Sequence, residues 1–269
     1  MLRNYFRRIG YTGTSHPNID VLNSVLRHHI CAIPFENLDV QFGRPVTTNV
    51  DAAYEKIVTN GRGGWCYEQN GLFGLALSEI GFDVTRVAAA VMRQDRGDAA
   101  EANHLCLLVR IPGSGDSCLV DVGFGGSMIN PIPLIEAEYE QAPFQIGLKK
   151  APDLRWRFWE DDGGGKFSYD FASETADESA LSHRCDFLQT DPSSGFVLNL
   201  VVQLRTPKEH KSLRGRVLRI LSTTGTESRI LSSADELLEV LSHHFSLDVP
   251  QAEKLWPAIV ARHEQVFPD

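Results

Sequence analysis

A chain of 269 residues, 42% of them hydrophobic and 23% charged, has the make-up of a globular protein with room for a sizeable core. Its net charge of −9 argues against nucleic acid or an anionic membrane as partner, since both select a basic surface. No apolar run reaches the length of a membrane span, and the opening MLRNYFRRIGYTG lacks the apolar core of a signal peptide, so a cytoplasmic location is expected.

The first third reads helical. NIDVLNSVLRHHI places Leu22, Val25, Leu26 and Ile30 at helical spacing. NVDAAYEKIVTNG carries Ala53, Ile57 and Val58 and stops at Asn60-Gly61. CYEQNGLFGLALSEIG sets Leu72, Phe73, Ala76, Leu77 and Ile80 on one side and ends at Gly81. The pattern then changes to short apolar runs separated by turn residues. FDVTRVAAAVM, NHLCLLVRI and SCLVDVGFG read as strands. LRWRFWE and KFSYDFA flank two aspartates and three glycines, a hairpin with a solvated tip. GFVLNLVVQLR is a further strand, and RGRVLRILSTTGTESRILS a hairpin turning near Gly225. Ser233 with Glu236 forms a capping box before LLEVLSHHF. The last stretch, QAEKLWPAIVARHEQV, is helical and interrupted at Pro257.

The cysteines are Cys31, Cys66, Cys106, Cys118 and Cys185. An odd number without C-x-x-C spacing makes a poor disulfide framework and a poor zinc site, so most are expected to be buried, inert thiols. Cys66 stands apart. In NGRGGWCYEQNGLFG, residues 60–74, it follows Arg62, Gly63, Gly64 and Trp65 and opens a helix. A helix start or a cationic neighbour lowers a thiol from its free value of about 8.5. The two glycines allow a tight approach and leave room for a substrate, and Trp65 anchors the turn.

A thiol nucleophile needs a base. The pairs His28-His29 and His243-His244 do not converge on a metal, and H-E-x-x-H is absent, so no metal is expected. His16, His183, His210 and His263 stand in polar surroundings and are read as exposed. His104 opens an apolar strand whose hairpin partner carries Asp121. With Pro112–Gly115 as a four-residue loop, Ile111 faces Asp116 and Asp121 lies opposite Cys106. Asp121 then shares a sheet face with His104, within reach of a hydrogen bond. A one-residue slip would separate them.

These segments carry a resemblance. RGGWCYEQN, NHLCLLV and VDVGFGG, with AIPFENLDV at 32–40 and DPSSGFVLNLVVQ at 191–203, are similar to stretches of the arylamine N-acetyltransferases, in the same order along almost the whole chain. The resemblance implies an α+β multi-domain fold. Its parts would be an N-terminal helical bundle (1–85) with the nucleophile, a central β-barrel (86–187) with the catalytic His and Asp, and a C-terminal α/β lid (188–269). The core would be of the cysteine-protease and transglutaminase kind. It also implies Cys66, His104 and Asp121 as a catalytic triad, Arg62 and Glu36 as a pair bracing the cysteine loop, and acetyl-coenzyme A as co-substrate. The acceptors would be arylamines, hydrazines or N-hydroxyarylamines, acetylated through an acetyl-cysteine by a ping-pong mechanism. Phe124 would contact an aromatic acceptor, and Gly123, Gly125 and Gly126 would let backbone N–H groups approach the coenzyme's phosphates.

Two segments depart from some animal members. RQDRGDAAEAN before His104 is polar, and Gly125, Gly126, Ser127 and Met128 follow Phe124 without an arginine, so acceptor preference does not carry over. The same three residues would also serve an amide synthase or a thiol hydrolase, and a non-catalytic interaction module is the remaining alternative.

Overall fold

The computed structural model describes residues 1–267. Helices α1 (Leu2–Ile9) and α2 (Ile19–Ala32) lead to a two-residue strand β1 (Phe35–Glu36) and a single helical turn α3 (Leu38–Gln41). Helix α4 (Val50–Tyr54) runs on as a π-helical turn over Glu55–Thr59, and α5 spans Cys66–Ile80. Asn18 and Asn49 cap α2 and α4 by accepting backbone N–H groups, and Gly81 closes α5 in the left-handed conformation.

The central strands are β2 (Asp83–Val91), β3 (His104–Arg110), β4 (Ser117–Val120), β5 (Ile132–Pro133), β6 (Ala137–Gln141), β7 (Phe144–Lys150), β8 (Trp156–Asp161) and β9 (Lys166–Phe171). They form one antiparallel sheet in the order β5-β4-β3-β2-β9-β8-β7-β6. The edge strands β5 and β6 are not paired with each other, so the expected barrel is an open, curled half-barrel. The short turn α6 (Arg93–Arg96) connects β2 towards β3, and α7 (Glu178–Thr190) and α8 (Gly195–Leu198) follow β9. A second antiparallel sheet holds β10 (Val201–Arg205), β11 (Glu209–Arg214), β12 (Val217–Ser222) and β13 (Gly225–Ile230), with β1 added beside β10. Helices α9 (Ala234–Phe245) and α10 (Trp256–Val266) complete the chain.

Three readings from sequence shift. Gly195–Leu198 is helical, capped by Ser194, so the strand read over 195–205 begins only at Val201. Pro257 does not interrupt a helix but begins one, sitting in the first turn of α10 where its missing N–H costs nothing. Ser233 accepts from the Glu236 N–H as a capping box requires, but Glu236 reaches back to Ser232.

One core joins the helices to the half-barrel. Tyr5, Leu22, Leu26, Phe73 and Leu77 pack with Val87, Leu107, Val109 and Leu119. Helix α5 is buried almost all round, and Gly74 lets it cross close over Leu107 of β3. A second core lies between the C-terminal sheet and its helices, where Val202, Leu204, Leu213 and Leu218 meet Leu237, Leu241 and Phe245. Among the described residues no helix is long and apolar enough to cross a membrane.

His29 is fully buried between α1 and α5. Tyr5 donates to its Nδ1 (2.8 Å), and its Nε2–H faces Gln69 Oε1 at 3.1 Å, while the Gln69 amide donates to Gly64 O. Burial, opposed by the Gln69 hydrogen bond, holds His29 down to about 3. The unfolded chain takes up this proton from about pH 6.5 downward and the folded chain does not. Stability is therefore lost as pH falls below 6.5, by about 1.4 kcal/mol per pH unit at most for this group. A His29→Gln variant, whatever its stability at pH 7, should show a shallower fall in Tm between pH 6.5 and 4. Parallel Tm curves would remove His29 as the cause.

Candidate active site

Cys66 occupies the first turn of α5, and its entry loop is built by close backbone approach. A Cβ on Gly63 would lie 2.2 Å from Pro34 O, so this glycine serves packing against β1 rather than room for a substrate. Trp65 is buried against Tyr67 and Phe196. Its backbone N–H is accepted by Glu68, one turn into the helix.

Beneath the loop lies a network of charges. Arg62 forks onto Glu36 Oε1 at 2.7 and 3.1 Å and reaches Asp39 at 3.4 Å. Lys56 contacts Glu68 at 3.0 Å and Asp39 at 2.9 Å. Burial pushes the Lys56 ammonium down, but Glu36, Glu68 and Asp39 more than offset it and hold it above its ordinary value. Glu36 also accepts the Leu38 N–H at 2.7 Å, fixing the turn after β1. Sequence points to Arg62 and Glu36 as a pair and places Glu68 in the RGGWCYEQN stretch, but not to Asp39 and Lys56. Only the acid run of AIPFENLDV hinted at them.

The β3–β4 hairpin has the register counted from its loop. Arg110 faces Ser117, Leu107 faces Val120, and the Ile111 N–H bonds Asp116 O. Asp121 continues β4 and meets His104, with Nε2 to Oδ2 at 2.6 Å. This bond leaves Nδ1 as the free ring nitrogen. Cys66 is 3% exposed and both His104 and Asp121 are 2% exposed, so all three lie inside the protein.

Asn70, one turn after Cys66 on α5, ties this helix to both strands. Its amide donates to Asp121 Oδ1 (2.8 Å) and Leu105 O (2.6 Å), and its oxygen accepts the Val122 N–H at 3.0 Å. Gly123 then lies flat on the helix start. A Cβ there would sit 2.6 Å from Cys66 Cα and 2.7 Å from Asn70 Nδ2. The Gly123 N–H, expected to face a phosphate, is bonded to Asp121 Oδ1 at 2.8 Å. Gly125 and Gly126 have positive φ and press against Gln203 and Arg205 of the C-terminal sheet. His210, read as exposed, is buried instead: its Nε2 contacts Gly125 O at 2.6 Å, because β11 lies against this loop.

Among the described residues no hydrogen bond joins Cys66 to His104; Asn70, Gly123 and a backbone bond from Leu105 to the sulfur bring the two segments together. Such contacts commonly tighten only when substrate is bound. Burial first, and then Asp121 and Cys185, push the Cys66 thiol up from its ordinary value, with backbone bonds from Leu105 and Tyr67 pulling partly back. The lowered thiol pKa expected from a helix start is thus reversed for a lone thiol, since the first turn of α5 is buried. Ionisation calls for a base inside the site. Phe124 is half-buried and covers His104, with its ring 5.4 Å from the imidazole, 5.0 Å from Phe167 and 4.8 Å from Tyr169.

Replacing Asn70 by Ala removes the Asn70 partner of Leu105 O and of the Val122 N–H in a dry interior and leaves Asp121 Oδ1 with the Gly123 N–H alone. The expected cost is about 3 kcal/mol or more, read as a Tm lower by roughly 5–10 °C. An unchanged Tm would show that water takes over these bonds.

The site sets a buried thiol beside an imidazole held by a carboxylate, on an α+β frame. The family model described as N-acetyltransferase matches residues 18–254. An arylamine N-acetyltransferase of Mycolicibacterium smegmatis is 34% identical over 253 residues, 92% of each chain. The arylamine N-acetyltransferase structure from M. tuberculosis superposes with a TM-score of 0.88 at 34% identity, over 96% of this chain and 99% of that one. The Mycobacterium marinum enzyme, solved in complex with CoA, gives 0.88 at 32% identity over 99% of both chains. The chain is a transferase, and it belongs to the arylamine N-acetyltransferase family.

Proposed function

We propose that this acetyltransferase works by a ping-pong mechanism in which Cys66 carries the acetyl group. The observation behind this reading is the Asn70–Gly123 clasp, which packs the Cys66 helix start against the His104–Asp121 pair. His104 Nδ1 accepts the thiol proton while Nε2–H stays on Asp121. The Cys66 sulfur attacks the thioester carbonyl of acetyl-coenzyme A, giving acetyl-Cys66, and the coenzyme thiolate leaves with the proton from His104. Exchange of one thioester for another is nearly neutral, so the intermediate is neither trap nor barrier. An arylamine, hydrazine or N-hydroxyarylamine, unprotonated near neutral pH, then attacks the acetyl group, and His104 takes its proton as Cys66 leaves. Asp121 keeps the imidazole oriented and stabilises its charged form. Phe124 and the aromatic rings beside it offer an apolar wall to the acceptor. Arg62 and Glu36 brace the cysteine loop. The three parts of the chain, 1–85, 86–187 and 188–269, contribute the nucleophile, the base with its carboxylate, and a cover over the glycine loop.

Mixing the protein with acetyl-coenzyme A alone should add one acetyl group, on Cys66, seen by mass spectrometry. Initial rates against both substrates should give parallel lines. Intersecting lines without acetyl-Cys66 would sink the covalent route, and loss of the label to water faster than to any amine would make the protein a hydrolase.

A further inference from the structure

The inner face of the half-barrel beside His104 is aromatic, yet it ends in a carboxyl. The register sets Tyr139, Ile146, Glu160 and Phe167 in one row across β6, β7, β8 and β9. The neighbouring row holds Leu148, Phe158 and Tyr169, all buried in the core shared by the helices and the half-barrel. Residues two apart in a strand share a face, so Glu160 is on the inner face too. A run of contacts leads to it from the base. The Phe124 ring lies edge-on to His104 at 5.4 Å and stacks on Phe167 at 5.0 Å. Phe167 is directly opposite Glu160, one strand spacing or about 4.8 Å away. Phe124 is half-buried and Phe167 exposed, so this wall opens to solvent.

Two polar groups at the far end of the wall have no partner. Ser127, three residues past Phe124, is 2% exposed, and its Oγ makes no hydrogen bond among the described residues. Glu160 is half-buried, but its Oε2 is shut off from solvent and is likewise unbonded. Burial pushes the Glu160 carboxyl up to about 8; Ser127 nearby favours the carboxylate and offsets part of this, while Asp121 and Asp162 add to it. No cation is among the groups acting on Glu160, and Arg219 is held by Asp162 at 2.6 Å. The strands on either side offer only Ile146, Phe167 and the neutral phenols of Tyr139 and Tyr169. Polar groups left unpaired in a dry interior are costly, and a ligand that supplies their partner recovers that cost.

We propose that Glu160, with Ser127, determines acceptor specificity at the end of the site away from His104: it selects arylamines that carry a neutral hydrogen-bonding group at their far end over those that carry a carboxylate. The inference rests on the arylamine reading of the Cys66 site. A flat ring lying along Phe124 and Phe167 has its amino nitrogen at the His104 end and its para substituent at Ser127 and Glu160. A neutral carboxyl both donates and accepts, and a carboxylate only accepts. An amide substituent therefore meets Glu160 in either state. A carboxylate substituent can bond only the neutral carboxyl, and it adds a charge to a region that already holds Asp121 and Asp162 without a free cation.

The test compares 4-aminobenzamide with 4-aminobenzoate, which have nearly the same shape and differ in charge. The readout is the ratio of their kcat/KM values between pH 7 and 9, in which the titration of Cys66 and His104 cancels. In the parent protein the amide should be preferred, and the ratio should rise up to about tenfold over this range, because the neutral form of Glu160 falls to about a tenth one unit above 8. In Glu160→Gln the ratio should be smaller and flat with pH. Ser127→Ala removes a group that favours the carboxylate, so the rise should move to higher pH, a result that does not depend on Glu160→Gln folding. A flat ratio in the parent overturns the assignment. So does an equal loss with both amines in Glu160→Gln at an unchanged ratio, which would make Glu160 structural. A parent protein that forms acetyl-Cys66 but passes it to neither amine would overturn the arylamine reading itself, and this assignment with it.

Discussion

Replacing His104 with Gln should lower acetyl transfer by on the order of 10³ to 10⁴, the upper range for loss of a general base. The reason lies in the burial of the thiol. Its surroundings push Cys66 up, so without a neighbouring imidazole very little thiolate exists at neutral pH. Iodoacetamide inactivation against pH separates the contributions. In the parent protein, transfer of the proton to His104 forms an ion pair, and alkylation of Cys66 should persist below the free-thiol value of about 8.5. In His104→Gln the effect of burial is unopposed, and alkylation should rise only above that value. Equal rates for both proteins at pH 7 would show that His104 does not ionise Cys66.

Asp121→Asn is the second severe substitution, and the geometry says why a near-isosteric change should matter. Asp121 Oδ1 accepts two N–H groups, from Asn70 and Gly123, so an asparagine must keep its oxygen on that side. Its NH2 then points at His104 Nε2 and forces that nitrogen to accept. The ring proton moves to Nδ1, the nitrogen that takes the thiol proton in the proposed mechanism. The wrong tautomer is thus built in, and in a serine protease triad the analogous change costs about 10⁴. A thiol gives up its proton more readily than a hydroxyl, which places the expected loss between about 10² and 10⁴. Circular dichroism and Tm should stay close to the parent, because all three hydrogen bonds can still form. A folded Asp121→Asn variant with near-parental turnover would take Asp121 out of the mechanism.

Some features were missed for reasons of pattern. Helix α7 shows only Leu181, Cys185 and Leu188 as buried positions among charged and polar residues, so its period is faint. Strand β6 lies at the edge of the half-barrel and carries Glu138 and Glu140, which blunts its pattern, whereas β7, one strand in, buries Phe144, Ile146 and Leu148 in alternation, a period-two signal that the sequence does carry. Helix α1 was passed over because its arginines outnumber its buried residues, Tyr5 and Ile9.

The sequence by itself determined what depends on neighbours along the chain. The spacing of apolar residues marked α2, α5, β2 and β3, and the length of the Pro112–Gly115 loop set which residue faces which across β3 and β4. That register is why His104 and Asp121 could be paired on paper. Only the tertiary structure decided what joins distant segments. Asn70 reaches Asp121 across 51 positions and His210 reaches Gly125 across 85, and no periodicity encodes either contact. The addition of β1 to β10, and the charges gathered under the cysteine loop, are of the same kind. The ionisation of Cys66 belongs here too. A helix start favours the thiolate and burial opposes it, and how deeply α5 is buried follows from the packing of the half-barrel and helices around it, which local sequence does not state.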